Sequence, residues 1–147
     1  MNIGFDFDKV FIEYPFFIPD FIIDKFYKKQ EVNGKLWNLI YRIPSRPEQI
    51  LRLLIHFPIF RQPIKENITL VKSMASKSDD NFYLISGRFG FLKNRTNQLI
   101  KKYGLDKVFK GLYFNFENKQ TPLFKNQIIN KLKIERYVDD ALPLLNF

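Results

Sequence analysis

The apolar positions divide the chain into short continuous runs and longer stretches with helical spacing. The short runs are residues 2–8, NFYLISGRF (81–89), GLYFNFEN (111–118) and Arg136–Val138, and each reads as a buried strand. The spaced stretches begin at Asp20, which can cap a helix starting near Phe21 with Phe21, Ile22 and Phe26 on its apolar side. Asn33-Gly34 punctuates, and Lys35 to Ile43 reads as a second helix that stops near Pro44. Ser45, Pro47 and Glu48 form a capping-box pattern ahead of Ile50, Leu51, Leu54 and Ile55. Pro58 and Pro63 interrupt, and Ile64 to Met74 is amphipathic through Ile64, Ile68, Leu70 and Val71. Ser76 to Asn81 is a polar connection. Further helices are predicted over Phe91–Tyr103, closed by Gly104, and over Pro122–Leu132, with the tail ALPLLNF starting another.

Strands alternating with helices predict an α/β fold: a Rossmann-like, three-layer parallel sheet with helices on both faces. The helical interval between the first and second strands runs to roughly 65 residues, far beyond an ordinary connection. It is therefore expected to be a small helical cap inserted after the first strand. The expected organisation is an α/β core of residues 1–12 and 79–147, with the cap at 13–78.

Composition narrows the chemistry. With no cysteine in 147 residues, neither a disulfide framework nor a thiolate metal site is available. The 17 Phe and 7 Tyr supply the apolar area for a core. The most apolar stretch, YPFFIPDFII (14–23), is too short to span a bilayer and carries two prolines and an Asp. No signal-peptide pattern opens the chain, so a cytoplasmic, membrane-free protein is expected. The net charge of +9 attracts phosphates of some kind. The basic residues form only pairs, such as Lys28-Lys29 and Lys101-Lys102, so a nucleic-acid partner is not expected.

Ligands of open α/β sheets bind outside the carboxyl ends of the strands, so what each strand delivers there is informative. The first delivers Asp6 and Asp8, two apart and on one side of a strand. Like charges so placed call for a cation or a shared proton between them. The second strand delivers Ser86, with Gly87 and Arg88 behind it, the third Asn115 and Glu117, and the fourth Asp139 and Asp140. Lys125 lies in the first turns of the helix feeding the fourth strand. Carboxylates at one sheet edge, with a hydroxyl and a lysine, suit a hard cation such as Mg²⁺ together with a phosphate.

This arrangement resembles the haloacid dehalogenase superfamily of phosphohydrolases, in its nucleotidase-like branch. FDFDKVF matches the Asp-x-Asp-x-Thr/Val motif with Val10 in the last place, YLISGR matches the strand ending in Ser, and KNQIINKLKIERYVDD supplies the lysine and the closing acidic pair. ISGRFGFLKNRT is loosely similar to the Ser-x-Arg…Arg-x-x-Thr stretch of that branch. The resemblance covers residues 1–12 and about 80–145. It implies Asp6 as nucleophile forming an aspartyl-phosphate and Asp8 as acid, then base. It also implies Mg²⁺ held by Asp6, the Asp8 carbonyl, Asp139 and Asp140, with Ser86, Gly87 and Lys125 around the phosphoryl oxygens. The implied substrate is a small phosphorylated metabolite or nucleotide. Lys9 departs from the pattern, which often has Gly there, and the chain ends seven residues after Asp140 where many relatives add a strand.

Other residues receive plainer expectations. His56, the one histidine, is expected to be structural or at the surface, far from the motifs. Arg42, Arg46, Arg52 and Arg61 are expected on a solvated face. Phe16, Phe17, Phe21, Phe26, Tyr27 and Trp37 are expected in the core of the cap, and Lys119 is a rival to Lys125. The competing function class is a non-catalytic relative of the same fold that binds phosphate, a polyanion or a partner protein.

Overall fold

The computed structural model describes residues 1–19 and 43–140. Four strands, β1 (Asn2–Phe5), β2 (Asn81–Ser86), β3 (Gly111–Phe114) and β4 (Arg136–Val138), form one parallel sheet in the order β3-β2-β1-β4. Four α-helices accompany them among the described residues: α1 (Arg46–Ile55), α2 (Lys65–Lys77), α3 (Lys93–Tyr103) and α4 (Thr121–Lys131). The helices predicted from Asp20 and from Lys35, and the tail after Asp140, lie outside the described residues.

Alternation along the strands creates two cores. Ile3, Phe5, Phe82 and Leu84 point to one face, where Ile68 and Val71 of α2 and Leu99 and Ile100 of α3 meet them. Tyr83 and Ile85 point to the other face and pack with Phe124, Ile128 and Ile129 of α4. Helices thus cover both faces of the sheet, burying the central strands β1 and β2, while the edge strands β3 and β4 stay partly exposed. The topology follows from the handedness of crossovers. Moving from β1 to β2 to β3 keeps the connecting helices on one face; returning from β3 to β4, past β2 and β1, requires α4 on the opposite face. The consequence for the site is that β1 and β4 lie side by side, with Phe5 opposite Val138.

The first strand is shorter than residues 2–8. After Phe5 the chain forms one helical turn, closed by Phe11 N–H on the Phe7 carbonyl at 3.0 Å, with Lys9 in the left-handed region at φ 58°. Phe7, Phe11 and Ile12 remain fully buried, which is why the run looks strand-like in sequence. The chain then leaves the core through a short antiparallel stem. Glu13 N–H meets the Gln62 carbonyl at 2.8 Å, and Ile64 N–H meets the Phe11 carbonyl at 2.8 Å.

Helix α1 begins where the capping box places it, but its apolar side is not its buried side. Ser45 makes no side-chain cap bond, and Glu48 turns to Arg52 at 2.7 Å instead. Arg52 is buried, whereas Ile50, Leu51 and Leu54 are exposed. In α2, Ile68 and Val71 are buried as expected and Leu70 is exposed. Phe16 and Phe17, expected in the core of the cap, are 91% and 50% exposed; the other four aromatics of that group lie outside the described residues. The remaining elements fall where periodicity puts them, including the left-handed Gly104 (φ 64°) that ends α3. No helix among the described residues is long and apolar enough to cross a membrane.

Candidate functional site

Strands β1 and β4 bring their terminal carboxylates together. Asp6 N–H donates to the Val138 carbonyl at 2.8 Å, so Asp6 stands level with Asp139. Carboxylate oxygens of Asp6, Asp139 and Asp140 lie within 4.8 Å of one another. Lys125, buried on α4, reaches between two of them, with its Nζ 3.0 Å from Asp6 Oδ2 and 2.7 Å from Asp139 Oδ2. Lys119, the rival, is half exposed and pairs with Glu117 outside the site.

Burial pushes the Asp6 carboxyl up to about 6; Lys125 opposes this, and the charges of Asp139 and Asp8 add to it. Burial would lower the Lys125 ammonium, but Asp6 and Asp139 outweigh it and hold Lys125 charged. Asp140 is raised by burial and by the neighbouring charge of Asp139. Like charges so close disfavour each other, and a cation between them removes that cost. Asp6 Oδ1 is buried and has no hydrogen-bond partner among the described residues. A buried carboxylate oxygen without a donor is costly, and the Asp6 carboxylate also has those of Asp139 and Asp140 beside it. This donor set fits a hard, oxygen-liganded cation. Tyr137 closes the floor: its hydroxyl donates to the Ile85 carbonyl at 2.8 Å and is held protonated by burial and by Asp6.

Asp8 does not join this cluster. Arg88 grips its carboxylate with two donors, Nε at 2.8 Å and Nη2 at 2.7 Å, and Arg61 pairs with the same carboxylate. Burial alone would raise Asp8, but Arg88 and Arg61 together hold it well below the usual carboxylate range. Arg88 is braced by Thr96 Oγ1 at 3.1 Å and by the Phe7 ring, 4.6 Å from its guanidinium carbon. The two aspartates of the opening motif therefore sit in different surroundings, one beside an ammonium and the other between two guanidiniums.

Ser86 ends β2 in a buried position. A Cβ on Gly87 would come within 2.3 Å of Thr121 Cγ2 at the start of α4, so only glycine lets the β2 loop and that helix approach so closely. Asn115 is buried and holds its own loop, bonding the Lys119 backbone at 2.6 and 2.8 Å, while Glu117 is paired with Lys119.

Two residues contradict their sequence expectations. Arg61 is fully buried on Asp8 rather than solvated, and Arg52 is buried on Glu48; Arg46 is exposed as expected, and Arg42 lies outside the described residues. His56 is buried near the site, with Nδ1 2.7 Å from the Arg52 carbonyl. Burial and then the charges of Arg88 and Arg61 lower it to about 3, against a smaller opposing effect of Asp8, so it is neutral in the fold. No periodic signal marks these burials, because a charged side chain is buried by its partner and not by its spacing.

The neutral histidine has a measurable consequence. Unfolded, His56 binds its proton near pH 6.5; folded, it does so only near 3. Between these values the unfolded chain holds more protons, so stability falls as pH falls through that window. At about 1.4 kcal/mol per unit, the full effect is on the order of 5 kcal/mol. Replacing His56 by Gln is expected to flatten the acid side of a urea-midpoint-against-pH curve between about pH 6.5 and 3. An unchanged slope would mean that the ring is not held neutral.

Compared with known proteins, the chain matches no protein-family model, no curated protein and no solved structure.

Proposed function

We propose that the chain is a Mg²⁺-dependent phosphomonoester hydrolase of the haloacid dehalogenase type, with a Rossmann-like core and a cap inserted after the first strand. The observation that carries this reading is Asp6: a buried carboxylate with one oxygen unpartnered among the described residues, beside Lys125, Asp139 and Asp140. A nucleophilic carboxylate needs a free oxygen directed at phosphorus and charge around it to offset the incoming anion.

On this reading Asp6, Asp139 and Asp140 would hold the ion, which supplies charge neutralisation and orientation of the phosphoryl group. An oxygen of Asp6 attacks phosphorus as the bond to the leaving oxygen breaks, giving an aspartyl-phosphate on Asp6. Water then attacks that phosphorus, the bond to Asp6 breaks, and inorganic phosphate leaves. Lys125 and Ser86 would meet the equatorial oxygens, with Gly87 keeping the loop close. The base half of the Asp8 role fits its ionised state: it can take the proton of the attacking water. To act as acid it must first accept a proton, which Arg88 and Arg61 oppose.

A second reading rests on one feature. Asp6, Asp8 and Asp139 are matched by Lys125, Arg61 and Arg88, and the charge of Lys9 reaches Asp140, so the four carboxylates have protein counter-charges without any ion. A non-catalytic relative that binds phosphate, a polyanion or a protein would need nothing more. Turnover of an aryl phosphate and a metabolite and nucleotide panel, with and without Mg²⁺, separates the two. Metal-dependent turnover that vanishes in Asp6→Asn supports the hydrolase; none above that variant on any substrate favours the binder.

A further inference from the structure

Beyond the stem, Tyr14, Pro15, Phe16, Ile18 and Pro19 line an open cleft of about 590 Å³ together with Lys9, Glu13 and Asp140. Asp140 also belongs to the carboxylate cluster, so the cleft opens onto the candidate site. Its volume far exceeds a phosphate and lies in the range of pockets for small organic ligands.

The lining is aromatic and unevenly committed. The Tyr14 ring already carries two cations, with Lys9 Nζ at 5.3 Å and the Arg61 guanidinium at 4.7 Å from its centre. Phe16 is different. Its ring is 91% exposed, yet it is held edge-on by Phe17 at 5.5 Å and 87°, and Phe17 is braced edge-on by Phe60 at 5.3 Å and 84°. A ring that meets one neighbour edge-on and leaves its face in water offers that face to another ring, since stacking there buries apolar area on both. Lys9 completes the cleft. It follows Asp8 directly and keeps a left-handed backbone that side-chain-bearing residues rarely adopt, with its ammonium over Tyr14.

We infer that this cleft receives the leaving group of the substrate, and that it selects a leaving group bearing an unsaturated ring, stacked on Phe16, over a purely aliphatic one. Lys9 meets a polar edge of that group. The identity of the leaving group rests on the phosphohydrolase reading; the preference for a ring also shows in binding, which requires no turnover.

The test compares adenosine 5′-monophosphate with ribose 5-phosphate, which share the phosphate and the primary alcohol and differ in the ring. Values of kcat/KM with Mg²⁺ are measured for the wild type and Phe16→Ala. Calorimetry gives the binding of both ligands to Asp6→Asn and to Asp6→Asn/Phe16→Ala. The wild type is expected to prefer the nucleotide by roughly tenfold or more, the scale of one aromatic stack, and Phe16→Ala to bring the ratio close to one. Equal handling of the two by the wild type, or a ratio unmoved by Phe16→Ala, overturns the inference and leaves the hydrolase reading standing. Binding of neither ligand overturns it as well. If neither ligand is hydrolysed while calorimetry shows a preference that Phe16→Ala removes, the turnover reading falls and the ring site stands.

Discussion

Asp6→Asn is expected to lower Mg²⁺-dependent phosphomonoester hydrolysis by roughly a thousandfold or more, as the loss of a covalent nucleophile does. The substitution is nearly isosteric and exchanges one carboxylate oxygen for an amide that attacks phosphorus poorly. Its effect on the fold is expected to be small, because burial already opposes the charge at this position. A large loss of kcat with an unchanged denaturation midpoint is therefore the signature of a chemical role. A small loss of kcat, with activity retained, would remove Asp6 from the reaction path.

The second large effect concerns stability. Lys125→Met is expected to destabilise the protein by about 3–5 kcal/mol, because it strips the ammonium from between two buried carboxylates. The methionine fills most of the volume, so the loss is electrostatic and not a cavity. The same variant is expected to be stabilised by Mg²⁺ more than the wild type is, since an ion at the cluster then replaces the missing positive charge. Urea denaturation of both proteins, with and without Mg²⁺, measures each part. If Lys125→Met loses the same stability regardless of Mg²⁺, the carboxylates hold no cation. If it loses none, the lysine is not the counter-charge of the pair.

The sheet was readable because its strands are continuous apolar runs bounded by turn residues, a signal local to each segment. The convergence of Asp6, Lys125 and Asp139 was readable for a related reason: parallel strands deliver their carboxyl ends to one edge, whatever intervenes. What could not be read depends on partners remote in sequence. Arg61 meets Asp8 across 53 residues, and the segment that carries it shows no pattern that separates a buried guanidinium from a solvated one. Asp6 and Asp8 were expected to share one environment because a strand would point them the same way. The chain instead leaves the strand at Phe5, and the turn sends Asp8 to the arginines. Helix α1 was assigned its apolar face as its buried face, and the Glu48–Arg52 pair reversed that. His56 is buried and structural, as one of its two expectations had it, but it lies beside Arg88, Arg61 and Asp8 and not far from the motifs.

The central claim, that Asp6 accepts a phosphoryl group, is tested most directly by stopping turnover with acid and weighing the peptide that carries residues 3–11. With Mg²⁺ and a hydrolysed substrate, the account predicts one added phosphoryl group on Asp6, absent without Mg²⁺ and absent from Asp6→Asn. Metal-dependent turnover proceeding at full rate with no phosphoryl group ever trapped on that peptide, and surviving in Asp6→Asn, would contradict it.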